Sequence, residues 1–378
     1  MNIGFDGKRA ANNLTGLGNY SRSLIAHLAK HFPQNQYFVY SPKVKDHPQI
    51  RLFKETPKVH LKLPESKGLF WRSLGIKTQL QKDRLALYHG LSHELPIGIH
   101  KTGIPSIVTI HDLIFIRFPQ YYGFIDRLIY KFKTKYACKH ANRIIAISER
   151  TKQDIIELYN IAANKIEVIY QSCDDSFKLP ATEALQEQVK KNYTLPDQYI
   201  LNVGTIEQRK NLLTLIKALK NVNSDYKLVV IGKKTGYFTL VENEIELLGL
   251  KDRVLFLQHV PFTDLPAIYQ LATAFIYPSL YEGFGIPIIE ALYCKVPVVA
   301  ARGSCLEEAG GESSLYIAPE DDKALAQAIN KILDNPELQM EMKEKGSAYV
   351  QKFNNEDISA QLMQLYLKTL HNIRTIRK

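Results

Sequence analysis

Cysteine is scarce and unpatterned. The four in this 378-residue chain, Cys138, Cys173, Cys294 and Cys305, form no Cys-x-x-Cys pair and have no nearby set of histidines. Neither a disulfide frame nor a zinc site is indicated, and the thiols read as reduced ones of a cytoplasmic protein. No apolar run approaches the ~20 residues that a bilayer crossing needs. The opening "MNIGFDGKRAANNLTG" has no apolar stretch behind a basic flank, so no signal peptide is expected. Asp-x-Asp is absent: the acidic pairs Asp174-Asp175 and Asp321-Asp322 are adjacent and sit in linker-like sequence. A diphosphate held through chelated magnesium is therefore not the expected arrangement, no metal or other cofactor is expected, and positive charge must come from side chains.

What is there is asymmetric. Residues 1–175 hold 26 Lys and Arg against 14 Asp and Glu, a surplus of 12, whereas residues 176–378 hold 23 against 24. The whole net charge of +11 therefore lies in the first half. An anionic neighbour is implied for that half: a phosphorylated ligand, acidic lipid headgroups or nucleic acid.

Short apolar runs alternate with helix-like segments nearly throughout, which predicts parallel sheets built from strand-helix-strand units. In the first half the strands are expected at residues 2–5, 36–40, 86–89, 106–111, 143–147 and 165–169. Helices are expected in "GNYSRSLIAHLAKHF" and "SERTKQDIIELYNI". The polar interval "QSCDDSFKLPATEALQEQVKKNYTLPDQ" reads as a linker. The rhythm then restarts at "YILNVGT" and runs through "YKLVVIG", "VLFLQHV" and "TAFIYPS" to "PVVAA" and a helical tail. Two doubly wound α/β domains facing across a cleft are expected, residues 1–174 and 175–357, with a helix at about 358–378 able to pack back on the first. In such sheets ligands bind beyond the carboxyl ends of the strands.

Four stretches there could carry chemistry. "NVGTIEQRKNLLTLIKAL" places Gly204 just after a strand and Arg209 and Lys210 before a helix. Two cations beside free helix amides suit a diphosphate. "YPSLYEGFGIPIIEAL" lets the chain turn at Gly283 and Gly285 with backbone amides exposed, and Pro287 suits the start of the next helix. Glu290 is expected in that helix's first turn, where a carboxylate complements the dipole, and Glu282 ahead of the turn as a loop residue. "TGLGNYS" offers Gly16 and Gly18 before a helix, although Ser21 stands where a dinucleotide fingerprint has its third glycine. "TIHDLIFIRFPQYYGFIDRLIYKFKTKY" puts His111 and Asp112 at a strand's end, so that His111 would point into the cleft. Its aromatic and basic continuation fits either a membrane-surface helix or a solvated flank.

Taken in order, these residues resemble the retaining glycosyltransferases of family four, which have the GT-B fold of two Rossmann-like domains. The matching elements are "TGLGNYSRSLIAHL", "TIHDLIFIRFP", "IIAISERTKQDI", "VGTIEQRKNL", "PSLYEGFGIPIIEAL" with its Glu-x7-Glu spacing, and "LEEAGG", from residue 3 to about residue 330. The "HD" and "GTIEQRKN" wording is most similar to mannosyltransferase-type members that build bacterial surface polysaccharides. The resemblance implies that Arg209 and Lys210 bind the donor diphosphate, with Gly16 and Gly18 approaching from the opposite domain. It implies that Glu290 accepts from the nucleotide ribose, and that Glu282 and the amides of Gly283, Phe284 and Gly285 hold the donor sugar. His111 would contact that sugar, and Glu308 would shape the nucleotide pocket. Lys295 stands where the family often has glycine.

The implied reaction is metal-independent transfer of a sugar, with mannose from GDP-mannose the leading donor, to a hydroxyl of a glycan or lipid-linked acceptor at the inner membrane face. A UDP-sugar donor is the alternative. A nicotinamide oxidoreductase fits two Rossmann-like halves but not the imperfect glycine pattern. A GT-B epimerase or phosphorylase stays open. A nucleic-acid-binding protein fits the surplus of positive charge but has no recognised module behind it, so no specific nucleic acid is expected.

Overall fold

Every strand of the computed structural model, which describes residues 1–65 and 71–376, runs parallel to its neighbours. The chain divides into two units, Met1–Ser172 together with the segment from Asn354 onward, and Cys173–Phe353. The first unit thus ends two residues before the expected residue 174, and the second ends at Phe353, four residues before the expected residue 357.

The first unit carries β1 (Asn2–Asp6), β2 (Gln36–Tyr40), β3 (Val59–Lys62), β4 (Leu87–Gly90), β5 (Ser106–Ile110), β6 (Arg143–Ala146) and β7 (Ile166–Val168), in the spatial order β3-β2-β1-β4-β5-β6-β7. The second carries β8 (Tyr199–Val203), β9 (Lys227–Ile231), β10 (Val254–Leu257), β11 (Ala274–Tyr277), β12 (Val298–Ala301) and β13 (Leu315–Ile317), ordered β10-β9-β8-β11-β12-β13. In each sheet the order reverses once, between β1 and β4 and between β8 and β11, and a crevice forms where the flanking connections part.

Burial explains why these runs are strands. The central ones, such as "SIVTI" of β5 and "AFIY" of β11, are buried at every position, as a parallel strand covered on both faces by helices must be. On one face of the first sheet, Ile3, Phe5 and Leu87 pack with Ile25 and Leu28 of the helix Gly16–His31 and with Leu362 and Tyr366 of the helix Asn355–Ile376. The Tyr366 hydroxyl lies 2.7 Å from His89 Nδ1, whose Nε2 lies 2.8 Å from Thr109 Oγ1, so the last helix is joined to the middle of the sheet by a buried polar chain. The end of that helix as expected, residues 377–378, lies outside the described residues.

Two expectations are corrected. The interval read as a linker contains a helix, Glu183–Tyr193, whose N-cap Thr182 accepts from the Leu185 amide and whose Tyr193 hydroxyl donates to Asp264 at 2.7 Å. Eleven residues free of Gly and Pro behind a Thr cap form a helix, and only its thin apolar face, with Val189 buried, made it look like linker. The edge strands β3 and β13 were not foreseen. They are four and three residues long and half covered, so neither leaves an apolar run in the sequence.

Candidate functional site

Both loops at the switch point of the second sheet carry charged residues, and the fold brings them together. β8 ends at Val203, the chain passes Gly204, and a tight turn, Gln208–Lys210, leads into the helix Leu212–Leu219. Gly204 lies against Gly232 after β9, where a Cβ would sit 1.8 Å from the Gly204 carbonyl oxygen, so only glycine permits that approach. After β11 the chain runs through Tyr281 and Glu282 to Gly285, at φ 138°, and enters the helix Ile286–Tyr293. A Cβ at Gly285 would press on Ala309 and Leu306 at 3.1 Å, so conformation and packing both demand glycine there. Asn211, with φ 57°, joins the two loops by donating to the carbonyls of Pro278 at 3.0 Å and Pro319 at 2.6 Å. The Leu280 amide donates to the Arg209 carbonyl at 2.9 Å.

Between these loops Glu282 accepts from Arg209 Nη1 at 2.8 Å with one oxygen and from Lys210 Nζ at 2.5 Å with the other. Arg209 also pairs with Glu207 at 2.6 Å and donates to the Tyr281 carbonyl at 2.8 Å. Lys210 donates to the Tyr277 hydroxyl at 2.6 Å. Burial alone would raise the Glu282 carboxyl, but Lys210 and Arg209 outweigh it and hold it at about 2. Burial alone would lower Lys210, and Glu282 and Tyr277 reverse that too. The sequence reading gave Glu282 to a sugar and the cations to a phosphate. The structure places all three on one another, and two cations with two carboxylates leave the cluster without net charge.

Glu290 sits on the fifth residue of its helix, not in the first turn, so the dipole reading of it does not hold. It is buried, and its Oε2 accepts from the Tyr269 hydroxyl at 3.0 Å. Burial pushes its carboxyl up to about 7 against that hydrogen bond, and nearby Asp174 adds to the rise. In the turn, the carbonyls of Glu282 and Phe284 face the buried Cys305 thiol at 3.1 and 2.8 Å, and the Phe284 ring packs edge-on to Phe353. The turn is thus pinned from beneath through Glu282 and Phe284, which leaves Gly283 between two anchored neighbours. Glu308 lies in the helix Leu306–Gly310, and its carbonyl accepts from Tyr349 at 2.8 Å. The helices beginning at Leu212, Ile286 and Leu306 have no side-chain cap hydrogen bond.

The remaining predicted residues belong to the first unit. Gly16 is the first residue of its helix and a Cβ there would meet nothing within 4 Å, whereas at Gly18 it would sit 1.8 Å from the Asn13 carbonyl oxygen. Gly16 is thus uncrowded, and Gly18 is a packing glycine. His111 follows β5 as expected but is buried with both nitrogens taken: Nε2 donates to the Leu91 carbonyl at 2.8 Å and Nδ1 accepts from Gln171 Nε2 at 2.9 Å. Burial and neighbouring His93 push it down to about 3, which favours the neutral ring. Asn211, Cys305, Tyr269, Tyr277 and Gly232 were not foreseen. An Asn directly before a helix was the one usable signal, and the others act only through distant partners.

Residues 186–349 match the family described as Glycosyl transferases group 1, and residues 14–177 match Glycosyltransferase Family 4. O-antigen chain mannosyltransferase RfbU of Salmonella typhimurium is 30% identical over 268 residues, 71% of this chain and 70% of its own. O-antigen chain mannosyltransferase B of Escherichia coli is 28% identical over 373 residues, 93% of this chain and 96% of its own. The crystal structure of Anabaena HepE in complex with UDP and glucose aligns with a TM-score of 0.77 at 18% identity, over 97% of this chain and all of that one.

Replacing Glu282 by Ala leaves Lys210 with only the Tyr277 hydroxyl and Arg209 with only Glu207 and the Tyr281 carbonyl, in a mostly buried setting. We expect the second unit to lose about 3–5 kcal/mol and sulfate to restore part of it. Thermal unfolding with and without sulfate measures both, and an unchanged midpoint would refute the pairing.

Proposed function

The chain belongs to glycosyltransferase family four and has the GT-B fold, and we propose that it moves a sugar, mannose from GDP-mannose, to a hydroxyl of a glycan or lipid-linked acceptor in bacterial surface polysaccharide synthesis. The observation that carries this is the convergence of Arg209, Lys210 and Glu282 at the β8/β11 switch point, with Glu290 buried in the helix that follows. The choice of mannose rests on the names of the two relatives. The HepE structure, solved with UDP and glucose, favours a UDP-sugar as the second reading.

In the proposed reaction the diphosphate displaces Glu282 from the two cations, and Glu282 turns to the sugar hydroxyls while Arg209 and Lys210 hold the phosphates. The bond between the anomeric carbon and the β-phosphate oxygen breaks, and one forms from the acceptor oxygen to the same face of that carbon. The acceptor proton passes to the departing phosphate, so configuration is retained and no side-chain base is required. The protein contributes positioning and charge stabilisation of the leaving group. Lys210 is held charged by Glu282 and Tyr277, so it is ready to meet a dianion. Among the described residues no group of three or more His, Cys, Asp or Glu is placed to hold a metal ion.

The positive surplus of the first half has a structural focus that supports a membrane-surface role. Of the sixteen large apolar side chains exposed among the described residues, six lie in the helix Phe124–His140: Phe124, Ile125, Leu128, Ile129, Tyr130 and Phe132. Lys131, Lys135 and Lys139 are exposed among and beyond them, and Arg127 lies over the Phe124 ring. An apolar strip with a basic border suits the anionic inner leaflet. No helix among the described residues is long and apolar enough to cross a membrane.

Three outcomes are expected. Lys210→Ala should lower turnover of GDP-mannose, or of UDP-glucose if that is the donor, by 100-fold or more, and wild-type turnover should survive EDTA; near-normal activity of the variant refutes the diphosphate role. Because ribose hydroxyls donate to an ionised carboxylate, donor affinity should be full above pH about 7, where Glu290 is charged, and fall toward tenfold per unit below it. Glu290→Gln should bind more weakly at pH 8 and lose that slope; isothermal titration across pH would show a persisting slope if another group is responsible. The protein should sediment with phosphatidylglycerol vesicles and not with phosphatidylcholine vesicles, and Phe124→Ser/Ile125→Ser/Phe132→Ser should remain in the supernatant; equal sedimentation of that variant would sink the membrane role.

A further inference from the structure

One member of the ionic cluster in the second unit belongs to the sheet and not to a connection. Tyr277 is the last residue of β11, in register with Ala300 of β12, and is 2% exposed with its ring stacked on Phe275 at 5.7 Å and 23°. Arg209, Lys210 and Glu282 all lie in the turns and loops that follow strands, on long side chains with several rotatable bonds. A hydroxyl fixed to a buried strand is a point against which such side chains can be held.

That hydroxyl makes two contacts. It accepts from Lys210 Nζ at 2.6 Å and donates to Glu282 Oε1 at 3.2 Å, the same oxygen that Lys210 reaches. Lys210 Nζ is 5.0 Å from the ring centre, so the oxygen beyond the ring edge carries the contact, and a phenylalanine would lose it. Burial and the charge of Glu282 push the hydroxyl up to about 12 against the pull of Lys210, which favours the neutral phenol beside two charged neighbours.

The two cations differ in what holds them once Glu282 is withdrawn. Arg209 keeps Glu207 at 2.6 Å and the Tyr281 carbonyl at 2.8 Å. Lys210 keeps the Tyr277 hydroxyl. An ammonium on a flexible four-carbon stem has many rotamers to choose from, and one fixed acceptor selects among them. It has three N–H donors, so one spent on Tyr277 leaves two for an oxyanion. A carboxylate in the place of Tyr277 would cancel the charge it held, whereas a phenol leaves it whole.

We infer that Tyr277 is a positioning residue: its hydroxyl holds the Lys210 ammonium in place, with its charge intact, when a diphosphate takes the place of Glu282 on the cations. The inference rests on the diphosphate role proposed above and adds the residue that keeps Lys210 aimed. A diphosphate gains negative charge as its bond to the sugar breaks, so the placement of Lys210 matters more to the departing group than to the intact donor. A misplacement of about 1 Å can cost about 100-fold in rate.

The test is a double-mutant cycle on nucleoside diphosphate binding. GDP and UDP are titrated calorimetrically into the wild-type protein, Tyr277→Phe, Lys210→Met and the double variant. Phe keeps the ring and its stacking on Phe275, thermal unfolding verifies that each variant is folded, and Lys210→Gln replaces Lys210→Met if the latter is not. The tighter-binding nucleotide should bind about tenfold more weakly to Tyr277→Phe, and the same change should cost less than about twofold once Lys210 is gone. In turnover, Tyr277→Phe should lower kcat about tenfold or more and change KM less than about threefold, a split that loosening of the strand would not give. Unchanged affinity in Tyr277→Phe where Lys210→Met weakens binding overturns the positioning role alone. Equal losses in both backgrounds overturn it too, because the hydroxyl then acts otherwise than through Lys210. Full affinity in Lys210→Met, or binding of neither nucleotide to the wild-type protein, overturns the diphosphate role and the positioning role with it.

Discussion

The Glu282 carboxylate, held between Arg209 and Lys210, is the contact on which the rest of the second unit's site depends. Two cations brought side by side into a largely buried corner would repel each other and pull water in. One carboxylate with an oxygen for each removes both difficulties and joins the loop after β11 to the loop after β8. The backbone bond from Leu280 to Arg209 and the two carbonyls held by Asn211 then fix the same junction without charge. The cost of desolvating the cluster is met by its internal pairing.

Glu290, eight residues further on, is treated in the opposite way. It is buried and accepts from the Tyr269 hydroxyl, and burial pushes its carboxyl up to about 7, whereas the two cations hold Glu282 at about 2. Two carboxylates of one short motif are thereby set apart by their surroundings alone: one is paired with two cations, the other meets a phenolic hydroxyl. Beneath them the buried thiol of Cys305 and the ring of Phe353 hold the Glu282–Phe284 turn in place from residues remote in sequence.

Each unit is organised by the same topological fact. A sheet whose order reverses once leaves a crevice, and the residues just after the central strands face it. In the second unit those residues are Gly204, Arg209, Lys210 and Glu282; in the first they are Arg9, His93, Glu94 and Asp112. The first set is an ionic cluster and the second a balanced polar and aromatic cavity.

The sequence by itself determined the strands and their parallel arrangement, because a strand buried on both faces must be a continuous apolar run, and "SIVTI", "KLVVI" and "AFIY" are such runs. It also located the charged and glycine-rich loops, since a loop after a strand of this kind must lie at the sheet's carboxyl edge. It concealed what depends on partners. The helix Glu183–Tyr193 has too thin an apolar face to announce itself, β3 and β13 are edge strands too short to leave a pattern, and Gly18 resembles a phosphate-loop glycine until Asn13 is seen against it. Only the tertiary structure decided that both nitrogens of His111 are hydrogen-bonded, that Glu290 is buried against the Tyr269 hydroxyl, and that Glu282 lies on the two cations. Charge state and hydrogen-bond saturation are set by distances between residues tens to hundreds of positions apart, and no local pattern carries those distances.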